Sequence, residues 1–446
     1  MKSVRSALSH LLLAVGSIGI IAVTALPEAE SSRKASLAEN RLVLDKNDVF
    51  IFPQLGAEYT NLVSFDYGMG DGTGSGLALF GDESKALGIG ISRGDVLTFQ
   101  QTFPHDLRHR NLEQSDDIFG RRLDELNEGL QPDDQLATTD LSAPFTVADL
   151  VGSIEAGDGL LGARISAGHG GVVETDLENI QSGDGQAFGG LTVGYSYLGE
   201  VRVDASGSLQ IGSGGIFADE DILNASYFLG GLSLRTYIPV DEDVEIGILG
   251  DLYRSTAEFT EFDIADDAQD EDDIEERTAR SAQTSAMIGV GPSYHLGAST
   301  IAAYGVFGLS RQSLDPNTDE SKDLVVLRTL AIPGIHLAAD VELTEWLYFR
   351  TGMQYHFNLS RSVTEIDVEE IEDDEDIERD DVRLSVRSGD MRWRAGIGLQ
   401  FDNFTIDGTF QSQFLTNGPS FLGGAVGESD EESTGMFTMV SAGYRF

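Results

Sequence analysis

Cysteine is absent from this chain of 446 residues, which excludes disulfides, thiolate metal sites and a lipid-modified cysteine anchor. Basic side chains are scarce, with 29 Lys and Arg against 75 Asp and Glu and a formal charge of −46. Nucleic acid is held by clustered Lys and Arg that neutralise phosphates, so no nucleic-acid partner is expected. Long apolar runs are missing as well: beyond the N-terminus no stretch approaches the ~18 apolar residues of a membrane-spanning helix, and mean hydropathy is −0.12. Proline is infrequent, at 10 residues. Glycine is plentiful instead: 52 residues, or about 12% against a usual ~7%. Length alone fits two or three soluble domains of ~150 residues or one large β-barrel.

Residues 1–25 have the pattern of a secretory signal peptide. Lys2 and Arg5 precede an apolar run from Leu11 to Ala25, and Val23 and Ala25 stand at the −3 and −1 places of a small-residue cleavage site. The run of roughly 15 residues falls short of the ~20 that a spanning helix needs. Export follows as the expectation, so any membrane crossing downstream must be made by strands.

The mature chain alternates with period two. Val203, Ala205, Gly207, Leu209 and Ile211 oppose Arg202, Asp204, Ser206, Ser208 and Gln210. Leu347 to Asn358 and Asn403 to Phe414 repeat the pattern. Such runs exceed the usual 5 or 6 residues of a globular strand and suit a tilted membrane strand of ~9 to 11 or more. Connections alternate too, short near Gly199, Asp241, Gly297, Asp340 and Asp402, and long around 170–186, 213–226, 260–277, 312–323, 359–381 and 415–434. Outer-membrane barrels sort their loops in this way, with short periplasmic turns and long external loops.

The expectation is therefore an all-β chain: a single transmembrane antiparallel barrel over 86–446 with about 14 strands (range 12 to 16), long acidic extracellular loops and short periplasmic turns. Residues 26–85 form an N-terminal segment with room for extra strands; a hairpin from Leu62 to Phe80 would bring the count to 16.

The chain ends with Thr438, Val440, Ala442, Tyr444 and Phe446 on one face of a strand. This closely resembles the terminal strand of Gram-negative outer-membrane β-barrel proteins, porin- or transporter-like, with no particular subfamily indicated. The resemblance implies the outer membrane as location, the lipid bilayer as surroundings, and recognition of Tyr444 and Phe446 by the outer-membrane assembly machinery. Tyr195, Tyr197, Tyr237, Tyr294, Trp346, Tyr348, Trp393, Phe401 and Phe404 lie near the inferred periplasmic ends, where aromatic girdles form.

If the apolar sets face lipid, the lumen receives Arg202, Asp204, Arg235, Glu245, Asp251, Arg350, His356, Arg392, Arg394 and Asp407. Mixed charge suits a hydrated passage for small polar solutes; the alternative is that these groups pair and fill a closed, structural barrel. Asp263 to Glu276 hold 9 acidic groups in 14 residues and Glu365 to Asp381 hold 12 in 17. Clustered carboxylates such as Asp266, Asp267, Asp270, Asp373, Asp374 and Asp376 can draw divalent cations weakly, but the spacing of a calcium loop is absent and acidic runs are usually just solvated.

Asp116 to Leu130 carry a helical spacing, read as a surface helix on a long loop or as a plug. No enzyme motif or cofactor is indicated. His356, Asn358 and Ser360 faintly resemble the His, Ser and Asn group of outer-membrane phospholipases without their His-x-Ser order, and i, i+4 on a strand is ~13 Å, beyond hydrogen-bond reach.

Overall fold

The computed structural model describes residues 31–68, 74–94, 145–175, 181–218, 221–264, 274–315, 324–365, 382–410 and 437–446. Sixteen antiparallel strands form a closed barrel, each paired with its sequence neighbours: β1 Leu62–Gly68, β2 Gly74–Asp82, β3 Lys85–Gly94, β4 Phe145–Glu155, β5 Gly159–Thr175, β6 Gln181–Leu198, β7 Arg202–Ala218, β8 Asp221–Pro239, β9 Val244–Ile264, β10 Ile274–Leu296, β11 Ser299–Asp315, β12 Leu324–Thr344, β13 Leu347–Glu365, β14 Val382–Phe401, β15 Phe404–Phe410 and β16 Phe437–Arg445. The C-terminal strand closes the ring on β1, with Leu62 opposite Arg445 and Asp66 opposite Ser441.

Sixteen strands replace the expected fourteen. The extra pair is the hairpin of β1 and β2, so the barrel begins at Leu62 and not at 86. Glycine between 68 and 76 thins the apolar alternation there, which hides the hairpin in the sequence. Seven turns at one rim have two to four residues each. The turn expected near Asp340 is formed by Glu345 and Trp346, because β12 continues through Asp340 and turns its side chain into the lumen. Strands run into the stretches expected as long connections: β5 and β6 leave only 176–180 between them and β7 and β8 only 219–220, against the expected 170–186 and 213–226, because the small and polar residues there continue the ladder. Asp116 to Leu130 and the carboxylates Asp266, Asp267, Asp270, Asp373, Asp374 and Asp376 lie outside the described residues.

Alternation sorts the wall as the period-two pattern requires. Phe65, Ile89, Ile165, Ile211, Ile288, Leu309 and Trp393 point outward and are 47–63% exposed, an apolar exterior that water would not tolerate over such an area. Serines, arginines and aspartates point inward. Closure leaves no unpaired strand edge, the condition for β-structure in lipid. Trp346 stacks on Phe401 with centroids 6.3 Å apart, and Phe80 lies 5.8 Å from Phe446 at the same rim. Tyr237 departs from the expected girdle: it is buried inside, its hydroxyl donating to the Leu42 carbonyl. Tyr348 also faces inward, beneath the Arg350 guanidinium at 5.7 Å.

The inside is not empty near the short-turn rim. Residues 31–60 fold within the lumen as a plug made of one short helix, α1 Ser32–Ser36, and two 3-10 turns, Lys46–Phe50 and Pro53–Ala57. Ser31 caps α1 by accepting from the Lys34 backbone N–H. Asp45 and Asp48 form a reciprocal capping box on the first 3-10 turn, satisfying backbone donors that the turn itself leaves free. Val49, Phe50, Ile51, Phe52 and Leu55 make an apolar cluster with Leu77 and Leu79 of β2. Leu37, Leu42 and Val43 make a second one with Tyr237, Leu249, Ala302, Tyr304 and Val306 of the wall. A segment too short for its own core thus uses the barrel wall as the rest of it.

Candidate functional site: a charged lumen and its plug

Wall glycines make the docking possible. A Cβ at Gly162 would lie 2.2 Å from the Gln54 backbone nitrogen, one at Gly352 2.1 Å from the Leu37 carbonyl carbon, and one at Gly396 2.6 Å from the Ser36 side chain. Each is closer than nonbonded atoms approach, so any larger residue on these inward faces would push the plug away. Against Gly352 the chain reverses through Ala38 and Glu39, both in the left-handed region at φ 50° and 56°. Such residues each cost about 1–3 kcal/mol unless their surroundings hold them; Gln354 donates its side-chain amide to the Ala38 carbonyl.

Two alternating chains of charge cross from plug to wall. In the first, Lys34 contacts Asp48 at 3.1 Å, Asp48 contacts Arg235 at 2.6 Å, and Arg235 contacts Asp204 at 3.1 Å. Arg202 continues it, 3.1 Å from Asp204 and 2.8 Å from Glu58. In the second, Arg33 bridges Asp45 at 3.1 Å and Asp340 at 2.9 Å, Asp340 meets Arg350 at 3.0 Å, and Arg350 meets Asp407. Lys34, Asp48, Asp204 and Arg235 have side chains only 0–2% exposed. Buried ions survive only where partners and hydrogen bonds replace water, which explains why the inner links Asp48, Arg235, Asp204, Arg33, Asp340 and Arg350 each meet two opposite charges.

These surroundings set the plug carboxylates. Burial pushes the Asp48 carboxyl up, but Arg235 and Lys34 beside it prevail and hold it below the ordinary carboxylate range. Asp45 is lowered likewise, burial being outweighed by Arg33 and Lys46. Glu58 goes the other way, raised because burial outweighs its neighbour Arg202.

Around the ring, wall charges of both signs are interleaved, and several of them face plug groups of the opposite sign. Asp66 of β1 takes Lys46 at 3.3 Å, and Asp251 of β9, half a circuit away, takes Arg41. Arg164 of β5 donates to the Phe50 carbonyl at 2.6 Å while pairing with Asp149 at 2.7 Å. On the far side, Arg394 of β14 reaches Glu39 at 3.7 Å. Plug cations therefore meet wall acids, and plug acids meet wall arginines, so charge as well as shape sets the plug's orientation.

Apart from His356, the residues expected in the lumen occupy inward positions: Arg202, Arg235 and Asp251 meet the plug directly, while Asp204, Arg350 and Asp407 pair with the wall residues that hold it. Arg392 shares the inward face of β14 with Arg394. Glu245 stands apart at the rim, 3.0 Å from His295. His356, Asn358 and Ser360 are on β13, with no description of their side chains. Tyr444 and Phe446 face outward, 49% and 53% exposed. Sequence reasoning missed the plug's own members, Arg33, Lys34, Arg41, Asp45 and Asp48. The available signal was an unusually balanced and polar stretch, 31–48, within an otherwise acidic chain. Among the described residues no group of three or more His, Asp and Glu side chains is placed to hold a metal, and no helix is long and apolar enough to cross a membrane.

A closed ring with an apolar exterior and a charged interior defines a transmembrane β-barrel, consistent with a protein of the Gram-negative outer membrane. No protein-family model and no curated protein matches the chain. Among solved structures it is similar to the alcaligin outer-membrane receptor of Bordetella pertussis, at 8% identity over 78% of this chain and 60% of that one, with a TM-score of 0.38. It is similar also to a ferric citrate transporter in its unliganded form (8%, 78% and 65%, 0.35). The ferric yersiniabactin uptake receptor of Yersinia pestis is a third (8%, 86% and 79%, 0.35). The chain spans less than two thirds of the first two. At these identities and TM-scores the likeness assigns no solute.

Proposed function

We propose that this chain is an outer-membrane channel or transporter for small hydrophilic solutes, without catalytic activity, whose conduit residues 31–60 close at the short-turn rim. One observation carries the reading: the inward face of a 16-stranded ring carries charged side chains whose partners come from the N-terminal segment 31–60 and not from the wall alone. Barrels of 16 to 18 strands are wide enough for an aqueous channel, so a polar wall of this width has more room than its own side chains fill. In this reading the short turns are periplasmic, residues 1–25 are removed on export, and the acidic connections face outward.

Planar-bilayer conductance and liposome swelling test the proposal. The full chain is expected to conduct little and Asp48→Asn to conduct more; no conductance and no swelling from either would sink it. Acidic replacements of Arg392 and Arg394 are expected to shift the preference toward cations. The second reading is a barrel kept shut by its own N-terminal segment, with acidic loops that bind cations or partners; it is favoured by the depth at which Lys34, Asp48 and Arg235 are buried.

A further inference from the structure

One part of the wall reads the plug residue by residue. Arg41 donates to Asp251 of β9, whose side chain has no exposure in the docked state. That carboxylate is aimed from behind by two hydroxyls, Ser233 Oγ at 2.8 Å and Tyr253 Oη at 3.1 Å. The backbone of the same plug residue is also held: Arg235 Nη1 donates to the Arg41 carbonyl at 3.2 Å, and Tyr237 Oη donates to the next carbonyl, that of Leu42, at 3.1 Å. The Leu42 side chain enters an apolar recess with Leu249 and Tyr304. Gly247 forms its floor, where a Cβ would lie 2.3 Å from Leu42 Cδ2.

Three strands, β8, β9 and β11, therefore present a carboxylate, two carbonyl-directed donors and an apolar recess in fixed register. Together they recognise a cationic side chain, two consecutive peptide carbonyls and an apolar side chain. These are features of a dipeptide unit, and none of them depends on the unit's being covalently part of the plug. Asp251 also sets a physical condition on opening. If the plug shifts, a carboxylate buried in the docked state loses its cation, and exposing it to water or supplying another cation are the ways to avoid an unpaired buried charge.

We propose that this patch is a peptide subsite of the conduit: short peptides with a cationic residue followed by an apolar one are the solute class, and Arg41–Leu42 occupies the subsite as an internal ligand. The inference rests on the transport reading for its role, but the binding it asserts is measurable without transport. Solute arrival and plug release are then linked, since each peptide bound at Asp251 excludes one contact that keeps the conduit shut.

The test uses the full chain in detergent micelles with Gly352→Val, whose added atoms take the place of plug backbone, combined with Arg41→Ala, so that Asp251, both carbonyl-directed donors and the Leu42 recess are vacated. Labelled Arg-Leu amide, Glu-Leu amide and Leu-Leu amide are the probes in equilibrium dialysis. Arg-Leu amide is expected to bind on the order of tenfold or more tightly than either other peptide, the range that a buried charge pair commands. Asp251→Asn added to this double variant is expected to erase the preference. Equal binding of the three peptides, or a preference that survives Asp251→Asn, overturns the proposal. Gly162→Val in place of Gly352→Val repeats the measurement should the first variant fail the heat-modifiability check of folding. Conductance without peptide preference overturns the subsite and leaves the channel reading standing; peptide preference without conductance does the reverse.

Discussion

Replacing Asp48 by Asn removes one charge and keeps the shape, and its effect follows from the two cations that Asp48 serves. Lys34 at 3.1 Å and Arg235 at 2.6 Å are 2% and 1% exposed. Arg235 keeps Asp204, but both cations lose a carboxylate at a site with little water to replace it. Losing a hydrogen bond between charged groups typically costs about 1.5–3 kcal/mol. The barrel wall does not depend on Asp48, so this cost falls on docking of the plug, equivalent to roughly 10- to 150-fold in the docking equilibrium. Hydrogen exchange read by mass spectrometry over residues 31–60 reports that equilibrium directly. The expected result is faster exchange by about that factor across the plug, with the strands β5–β14 unchanged. Unaltered plug protection in Asp48→Asn would show that the ion chain does not hold the plug, and exchange rising equally throughout the strands would show that plug and barrel are one cooperative unit. Either result refutes the reasoning.

Valine at Gly352 or Gly162 is expected to expel the plug without touching a charge, since the added atoms occupy the place of plug backbone; protease cleavage within 31–60 should rise while unboiled gel mobility still shows a folded barrel. Because Asp45 and Asp48 titrate below the usual range, their contribution is complete above the unfolded value of ~3.9 and is lost only as pH falls through the lower folded values. Glu58, raised by burial, adds stability as pH falls toward its folded value, so plug protection should hold or rise from about pH 8 to 5 and decline only below ~4; a loss centred near pH 6 would contradict the assigned pairs. Salt is expected to act weakly, because pairs this deeply buried are poorly screened: conductance rising steeply with ionic strength beyond the increase in carriers would place the latches at the surface.

Much of the wall was legible because period two is local. The polar faces of β7, β13 and β15 can be read directly from Arg202 to Gln210, Leu347 to Asn358 and Phe404 to Phe410, since each strand's lipid and lumen faces differ in polarity at every step. The terminal Tyr444 and Phe446 are similarly local. The β1–β2 hairpin was less legible, its alternation diluted by glycine, and this cost two strands in the count. Tyr237 was misplaced because an aromatic near a strand end looks the same in sequence whether it meets lipid or plug; parity decides, and the partner at Leu42 lies 195 positions away.

By itself, then, the chain's alternation determines that it makes strands with one apolar and one charged face, and strands of that kind must close into a ring in lipid. What only the tertiary structure decided is where the charges go. Nothing in the local pattern says that Lys34 meets Asp48 and Arg235, or that Arg41 meets Asp251, because these contacts join segments up to some 300 residues apart. Nor does glycine content reveal that Gly162, Gly247, Gly352 and Gly396 form one set of recesses. Ion pairing and close packing depend on distance in space, which the ring creates only once all sixteen strands have closed around residues 31–60.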